Sequence, residues 1–235
     1  MRLCVIPARG GSKRIPRKNL KCFAGQPIIA WSINAALKSA CFNRIIVSTD
    51  DPEISQVAKA YGAEVPFVRP LELSGDFTDT ISVIAHAVDW QNTNGQQASE
   101  VCCIYATAPL LKPESIQLGL KILIDSGADF AFSVTQYAFP IQRAMRVTKN
   151  NRLQMLQPQY FKSRSQDLEE SVHDAGQFYW GKAHSWLQQQ SFFGSCVTVP
   201  VPLPRHRVQD IDTADDWLVA ERMFKIVNNS SEEGL

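Results

Sequence analysis

The chain lacks the features that would tie it to a membrane, a metal cage or a polyanion. No apolar run approaches the ~20 residues needed to cross a bilayer, and the opening MRLCVIPARGG holds too short an apolar stretch for a signal peptide. Its six cysteines (4, 22, 41, 102, 103 and 196) include no CxxC pair, and no histidine sits at zinc-finger spacing, which argues against a structural metal. Several of these thiols lie in strand-like apolar runs and act as small hydrophobes, so a reducing, cytoplasmic compartment is expected. An excess of charge is missing as well. With 24 basic and 23 acidic residues the net charge is +1, which speaks against a nucleic-acid partner. There is no internal repeat and no low-complexity segment.

What remains is an ordinary globular composition, 45% hydrophobic and 20% charged over 235 residues. That length fits one domain, residues 1–235, with room for an insertion. Leu3 to Pro7 reads as a buried strand feeding a glycine-rich loop, and Pro27 opens an amphipathic helix. Arg44 to Thr49 is a second strand, followed by a helix that starts at the acidic Asp50-Asp51-Pro52-Glu53 and ends near Gly62. Further strands are expected at Val65–Val68, Val101–Tyr105, Asp129–Thr135 and Cys196–Pro200. Helices are expected at Thr78–Trp90, from Pro113, and at Thr213–Val227, before a frayed tail NNSSEEGL. Alternating strands and helices imply an α/β fold, a mostly parallel sheet with helices on both faces. The rhythm breaks over residues 137–195, which read as an inserted subdomain.

Ligands of parallel sheets bind beyond the carboxyl ends of strands, and the loop Ala8 to Asn19 lies at such an end. Arg9 to Lys21 carries Arg9, Lys13, Arg14, Arg17, Lys18 and Lys21 with no acid among them. Gly10 and Gly11 let backbone amides approach an anion, Ser12 adds a hydroxyl, and a phosphate is the expected ligand. The loop is neither GxxxxGK[ST] nor GxGxxG, so it is not a P-loop or a dinucleotide fingerprint. Far along the chain, Asp210-Ile211-Asp212 would present two carboxylates to one hard cation if extended. The alternative is that Asp212 or Thr213 caps the closing helix, with Asp215 or Asp216 completing a capping box. Arg69, Thr78 and Thr80 sit in a loop stretch where, on local evidence, helix capping or pairing with Glu72 explains them better than ligand binding does. In the insertion, Arg143, Arg146, Lys162 and Arg164 are candidates to grip a carboxylate. His173 is a poor metal ligand on its own. Phe178, Tyr179 and Trp180 suit packing or an oligomer interface.

IPARGGSKRIPRKN at residues 6–19 resembles the opening motif of the synthetases that charge acidic sugars with CTP, the CMP-sialic acid synthetase (acylneuraminate cytidylyltransferase) family. The resemblance continues through IIVSTDD (45–51), AEVPFVRP (63–70), ATAPL (106–110) and QDIDTADDW (209–217). It implies a nucleotide-diphosphosugar transferase fold, a homodimer and a Mg²⁺ cofactor. It further implies that Ala8, Arg9, Gly10, Gly11, Ser12, Lys13, Lys18 and Asn19 hold the CTP phosphates and ribose. Arg69, Thr78 and Thr80 would surround the cytosine, Asp210 and Asp212 would carry the metal, and Lys13 and Lys18 would assist catalysis with that pair. Where sialic acid members commonly have Gln and Arg, this chain has Tyr105 and Leu111. FPIQRAM and HDAGQFYWG instead resemble the pseudaminic acid cytidylyltransferases. The implied substrate is pseudaminate, with N-acetylneuraminate or legionaminate as the alternative, and with Tyr105, Arg143, His173 and Gln177 around the sugar. The insertion would exchange with a second subunit.

Overall fold

The structure, a computed structural model, describes residues 1–194 and 196–229. The strands are β1 (Arg2–Pro7), β2 (Cys22–Phe23), β3 (Gln26–Pro27), β4 (Arg44–Ser48), β5 (Glu100–Ile104), β6 (Phe130–Gln136), β7 (Met145–Val147), β8 (Leu153–Met155), β9 (Val172–Lys182) and β10 (Thr198–Pro202). The α-helices are α1 (Ile28–Ser39), α2 (Pro52–Ala60), α3 (Thr80–Asn94), α4 (Pro113–Ser126), α5 (Ala183–Leu187) and α6 (Ala214–Asn229). Six strands form one sheet in the order β10-β6-β9-β5-β1-β4. β1 pairs in parallel with β4 and β5, and β10 with β6, while β9 runs antiparallel between β5 and β6.

Each strand alternates its side chains between two apolar layers, which is why helices cover both faces. On one face Cys4, Ile6, Val47, Cys102, Ile104 and Trp180 meet α1, α2 and α4. On the other, Leu3, Val5, Ile46, Val101, Phe130 and Tyr179 meet α3 and α5. A third, small cluster joins Ile15 of the basic loop to Phe23, Ile28, Ile211, Trp217 and Ala220. It brings the two ends of the sequence together. β1 lies where the chain turns from one side of the sheet to the other, so the loops after β1 and β5 diverge and open a crevice.

Three expectations need correction. Val65–Val68 is not a strand: Glu64 makes a single bridge to Ile46, and Pro66 and Pro70 interrupt any ladder beyond it. The stretch expected to leave the fold over 137–195 is shorter, because β9 and α5 belong to the main body. Only 137–171, with the hairpin β7–β8, departs from the sheet. Residues 209–212 are not a strand either. Within the expected tail, Asn228 and Asn229 finish α6, and residues 230–235 lie outside the described residues.

Candidate active site

Past β1 the backbone is threaded tightly against the end of β4. The Ala8 amide donates to the Ser48 carbonyl at 2.9 Å, and the Gly10 amide to Asp50 Oδ1 at 3.0 Å. A Cβ on Gly10 would lie 2.7 Å from Asp51 Oδ2, so this close approach admits no side chain without a shift. Asp51 itself caps α2 through the amides of Glu53 and Ile54. Arg17 takes a left-handed conformation (φ 53°, ψ 35°), held by its ion pair with Glu53 at 2.6 Å. Asn19, almost buried, donates to the Arg9 carbonyl at 3.0 Å and pins the loop across its base.

The loop borders a cavity of 430 Å³, closed on its other sides by residues 69–83, by Tyr105-Ala106-Thr107 after β5, and by Asp212. Five cationic side chains line it (Arg9, Lys13, Arg14, Lys18 and Arg69) against two carboxylates, Asp76 and Asp212. The lining is therefore strongly positive, and the near-neutral net charge of the chain conceals it. Asp76 pairs with Lys13 and, at 2.9 Å, with Arg9. The hydrogen bond from Lys13, with the charges of Lys13 and Arg9, holds the Asp76 carboxyl below its ordinary range.

Arg69 forms the floor. Its side chain is 5% exposed, Nη2 donates to the Ser48 carbonyl at 2.7 Å, and Nε is buried without a partner. Burial lowers its pKa, the Asp50 charge raises it, and Arg9 lowers it again. Arg69 lines the cavity, and a buried guanidinium with an unspent donor is suited to an anion or a carbonyl. Tyr105 stands opposite, its hydroxyl 3.3 Å from Thr80 Oγ1 and its ring 5.2 Å from that of Tyr179. Tyr179 donates to Asp174 Oδ2 at 2.6 Å. Burial raises the Tyr105 phenol above its usual range, so it stays a neutral donor.

The capping alternative for the acid pair is answered by other residues. Asp216 accepts from the amides of Asp212 and Thr213 and from the Thr213 hydroxyl, and the Asp216 amide donates back to Thr213 Oγ1 at 3.2 Å. Thr213 and Asp216 thus form the capping box, and neither Asp210 nor Asp212 spends its carboxylate on the helix. Ile211 is fully buried against Ile15, which turns its two neighbours outward. Asp212 bonds Arg14 at 2.6 Å and Lys18 at 3.4 Å, and Lys18 also donates to the Ile211 carbonyl at 2.6 Å. Asp210 keeps a solvent-exposed face and does not line the cavity, yet packing around it and the adjacent Asp212 charge raise its carboxyl. Two oxygen donors whose charges repel suit a hard divalent cation, which would remove that penalty. No group of three or more His, Cys, Asp or Glu among the described residues makes a closed cage, so phosphate and water oxygens would complete such a site.

The model of the family described as cytidylyltransferase matches residues 3–175. Over 97% of this chain and 98% of the relative, it is 43% identical to the pseudaminic acid cytidylyltransferase of Campylobacter jejuni subsp. jejuni serotype O:2. The chain belongs to the cytidylyltransferase family. It is also 32% identical to the CMP-N,N'-diacetyllegionaminic acid synthase of Legionella pneumophila, over 95% of this chain and 96% of that relative. Among solved structures, CMP:2-keto-3-deoxy-manno-octonic acid synthetase complexed with CTP superposes with a TM-score of 0.68 over 99% of both chains at 17% identity, a likeness of fold. This cytidylyltransferase is therefore an enzyme of the nucleotidyltransferase class on the mostly parallel sheet expected from its sequence.

Within this cytidylyltransferase the structure gathers Arg9, Ser12, Lys13, Lys18, Asn19, Arg69, Thr78, Thr80, Tyr105 and Asp212 around one cavity. It does not bring the remaining expected residues to that lining. The amides of Ala8 and Gly10 are already bonded within the protein, which corrects the expectation that they face phosphate, and Gly11 is exposed. Arg143 donates to the Ser163 carbonyl at 2.8 Å, out in the 137–171 segment, while Arg146 bonds Gln154 and Arg164 bonds Asp167. His173 lines a separate cavity with Arg205 and His206. Gln177 is buried, its amide on the Arg207 carbonyl and its own carbonyl accepting from the Tyr105 amide at 2.9 Å. Sequence reasoning passed over Asp50, which holds Gly10 and faces Arg69, and Asp76, which pairs with the loop. Their signal was an acid immediately after a strand and a GD step in the lining segment. No helix of the described residues is long and apolar enough to cross a membrane.

Proposed function

We propose that this cytidylyltransferase activates a nine-carbon acidic sugar, converting CTP and pseudaminate to CMP-pseudaminate and pyrophosphate. The observation that carries the reading is the meeting of the basic loop and Asp212 at one positive cavity floored by Arg69. Arg9, Lys13 and Lys18 bind the triphosphate, and Arg69 with Thr78 and Thr80 receives the base. The anomeric hydroxyl of the sugar attacks the α-phosphorus in line. A new O–P bond forms as the bond to the β-phosphate oxygen breaks, pyrophosphate leaves, and the hydroxyl's proton passes to water. The protein's work is positioning and charge neutralisation: Lys13 and Lys18 offset charge that develops on the departing pyrophosphate. Asp210 and Asp212 would hold Mg²⁺, which supplies further neutralisation of the phosphate oxygens when bound.

The choice of sugar is supported by the 43% identical relative and by one residue of this chain. Leu111 is buried in the core and does not line the cavity, whereas Tyr105 offers it an apolar ring with one hydroxyl. Such a wall suits methyl and amide substituents better than a wall built to bond hydroxyls. A cytoplasmic homodimer is part of the same reading. Phe139, Met145, Val147, Leu153, Leu156 and Phe161 are exposed along the 137–171 segment, an apolar face fitted to a second copy. The decisive experiment measures pyrophosphate release with CTP and a panel of nine-carbon acids, with and without Mg²⁺. The largest kcat/KM is expected for pseudaminate, only with the metal. A larger value for neuraminate or legionaminate overturns the choice of sugar, and full turnover without divalent cation overturns the role of the acid pair.

A further inference from the structure

Both oxygens of Asp212 are engaged by cations of the chain itself, and the two cations are held very differently. Lys18, at 3.4 Å from Oδ1, is largely buried and anchored a second time on the Ile211 carbonyl. Arg14, at 2.6 Å from Oδ2, has a side chain 71% exposed, and no second ion pair holds it among the described residues. A divalent cation coordinated by Asp212 and a guanidinium bonded to Oδ2 compete for the same lone pairs. The exposed, singly held partner yields. Its release leaves a planar double donor free at the mouth of the cavity, beside Lys13 and Lys18, where anionic reactants converge.

We propose that Arg14 is a positioning residue that exchanges partners: it holds the Asp212 carboxylate until the metal takes it, then turns to an anionic oxygen pair of the reactants. The phosphates of the nucleotide and the carboxylate of the sugar share that chemistry. The inference rests on the reading of Asp212 as a metal ligand. It makes metal binding and reactant binding mutually supportive, because each removes a competitor of the other.

Mn²⁺ titrated into the nucleotide-free protein and followed by electron paramagnetic resonance tests this directly. Arg14→Ala should tighten Mn²⁺ binding about two- to fivefold, the scale of one exposed ion pair, and Arg14→Lys should return it towards wild type. In turnover assays Arg14→Ala should raise one KM at least twofold. A rise for CTP identifies phosphate as the second partner, and a rise for the sugar identifies its carboxylate. Unchanged or weaker Mn²⁺ binding in a folded Arg14→Ala protein overturns the exchange, as does tighter binding with neither KM raised. Asp212→Asn separates the two levels of the argument: wild-type Mn²⁺ affinity in that variant would remove the metal reading itself. Lost affinity there, with Arg14→Ala unchanged, would remove only the exchange.

Discussion

Arg69 carries a charge that water scarcely reaches, and no carboxylate among the described residues forms an ion pair with it. Such a group contributes little to folding, since desolvation opposes it and the Ser48 carbonyl it bonds already accepts from Ala8. Under the proposed function, CTP would complete its coordination. Arg69→Met should therefore weaken CTP binding by about thirtyfold or more, the loss expected for a buried charged contact worth at least ~2 kcal/mol. Its melting temperature should be unchanged or higher, a stability–function conflict of the kind active sites store. Calorimetric CTP titration and thermal unfolding decide it, and a large fall in melting temperature with CTP binding intact would make Arg69 structural. Residues such as this one were half legible. In the sequence Arg69 could pair with Glu72 as easily as face a ligand, because nothing in RPLE says which side of the proline is buried. Arg9, Lys13 and Lys18 were legible, because six cations without an acid after a buried strand have few structural uses. Asp76 was not, because its partners lie more than sixty positions away.

At the next scale, the elements that matter are the ones that release side chains for chemistry. Thr213 and Asp216 hold the start of α6, and so keep the carboxylates of Asp210 and Asp212 out of the cap. Hydrogen bonds from Thr213 hold the Asp216 carboxyl below its ordinary range. The stabilisation is thus present at neutral pH and is lost as pH falls through and below the usual carboxylate range, near 4. Thr213→Ala should cost about 1 kcal/mol at pH 7, and the gap to wild type should narrow on acidification towards pH 3, the Asp216 amide's bond to Thr213 Oγ1 keeping part of it. Denaturant unfolding across that range checks it, and a gap independent of pH would remove Asp216 from the cap. Sequence patterning anticipated both ends of this helix to within two residues, likewise those of α2, and the start of α4 at Pro113, each of the latter two having a proline in its first turn. It missed β9. An antiparallel strand inside a mostly parallel sheet is buried on both faces only in its second half, Phe178–Trp180, and begins with exposed Val172 and Asp174. HDAGQFYW therefore shows neither clean alternation nor a continuous apolar run.

For the whole molecule, the sheet fixes the positive cavity without any help from the 137–171 segment, since every lining residue comes from the end of β1, from the loops after β1 and β5, from residues 69–83, or from Asp212. The segment makes its own short hairpin and turns and carries its apolar side chains outward. Burying that face between two copies would cover Phe139, Met145, Val147, Leu153, Leu156 and Phe161, which are exposed within one short segment. It would also place one copy's Arg143 and neighbouring cations where the other could use them. The chain is accordingly expected to run in solution at twice its mass of 26.3 kDa. A Leu153→Asp, Phe161→Asp double variant should run as a monomer, because two charges would have to be buried unpaired in the interface. If the division of labour is as described, the monomer should keep its affinity for CTP while its KM for the sugar rises. Light scattering after gel filtration, with the two KM values measured on the same preparations, reads both parts. A wild-type protein that is already monomeric, or a monomeric variant with an unaltered sugar KM, would confine sugar recognition to a single copy and leave Tyr105 as its main contact.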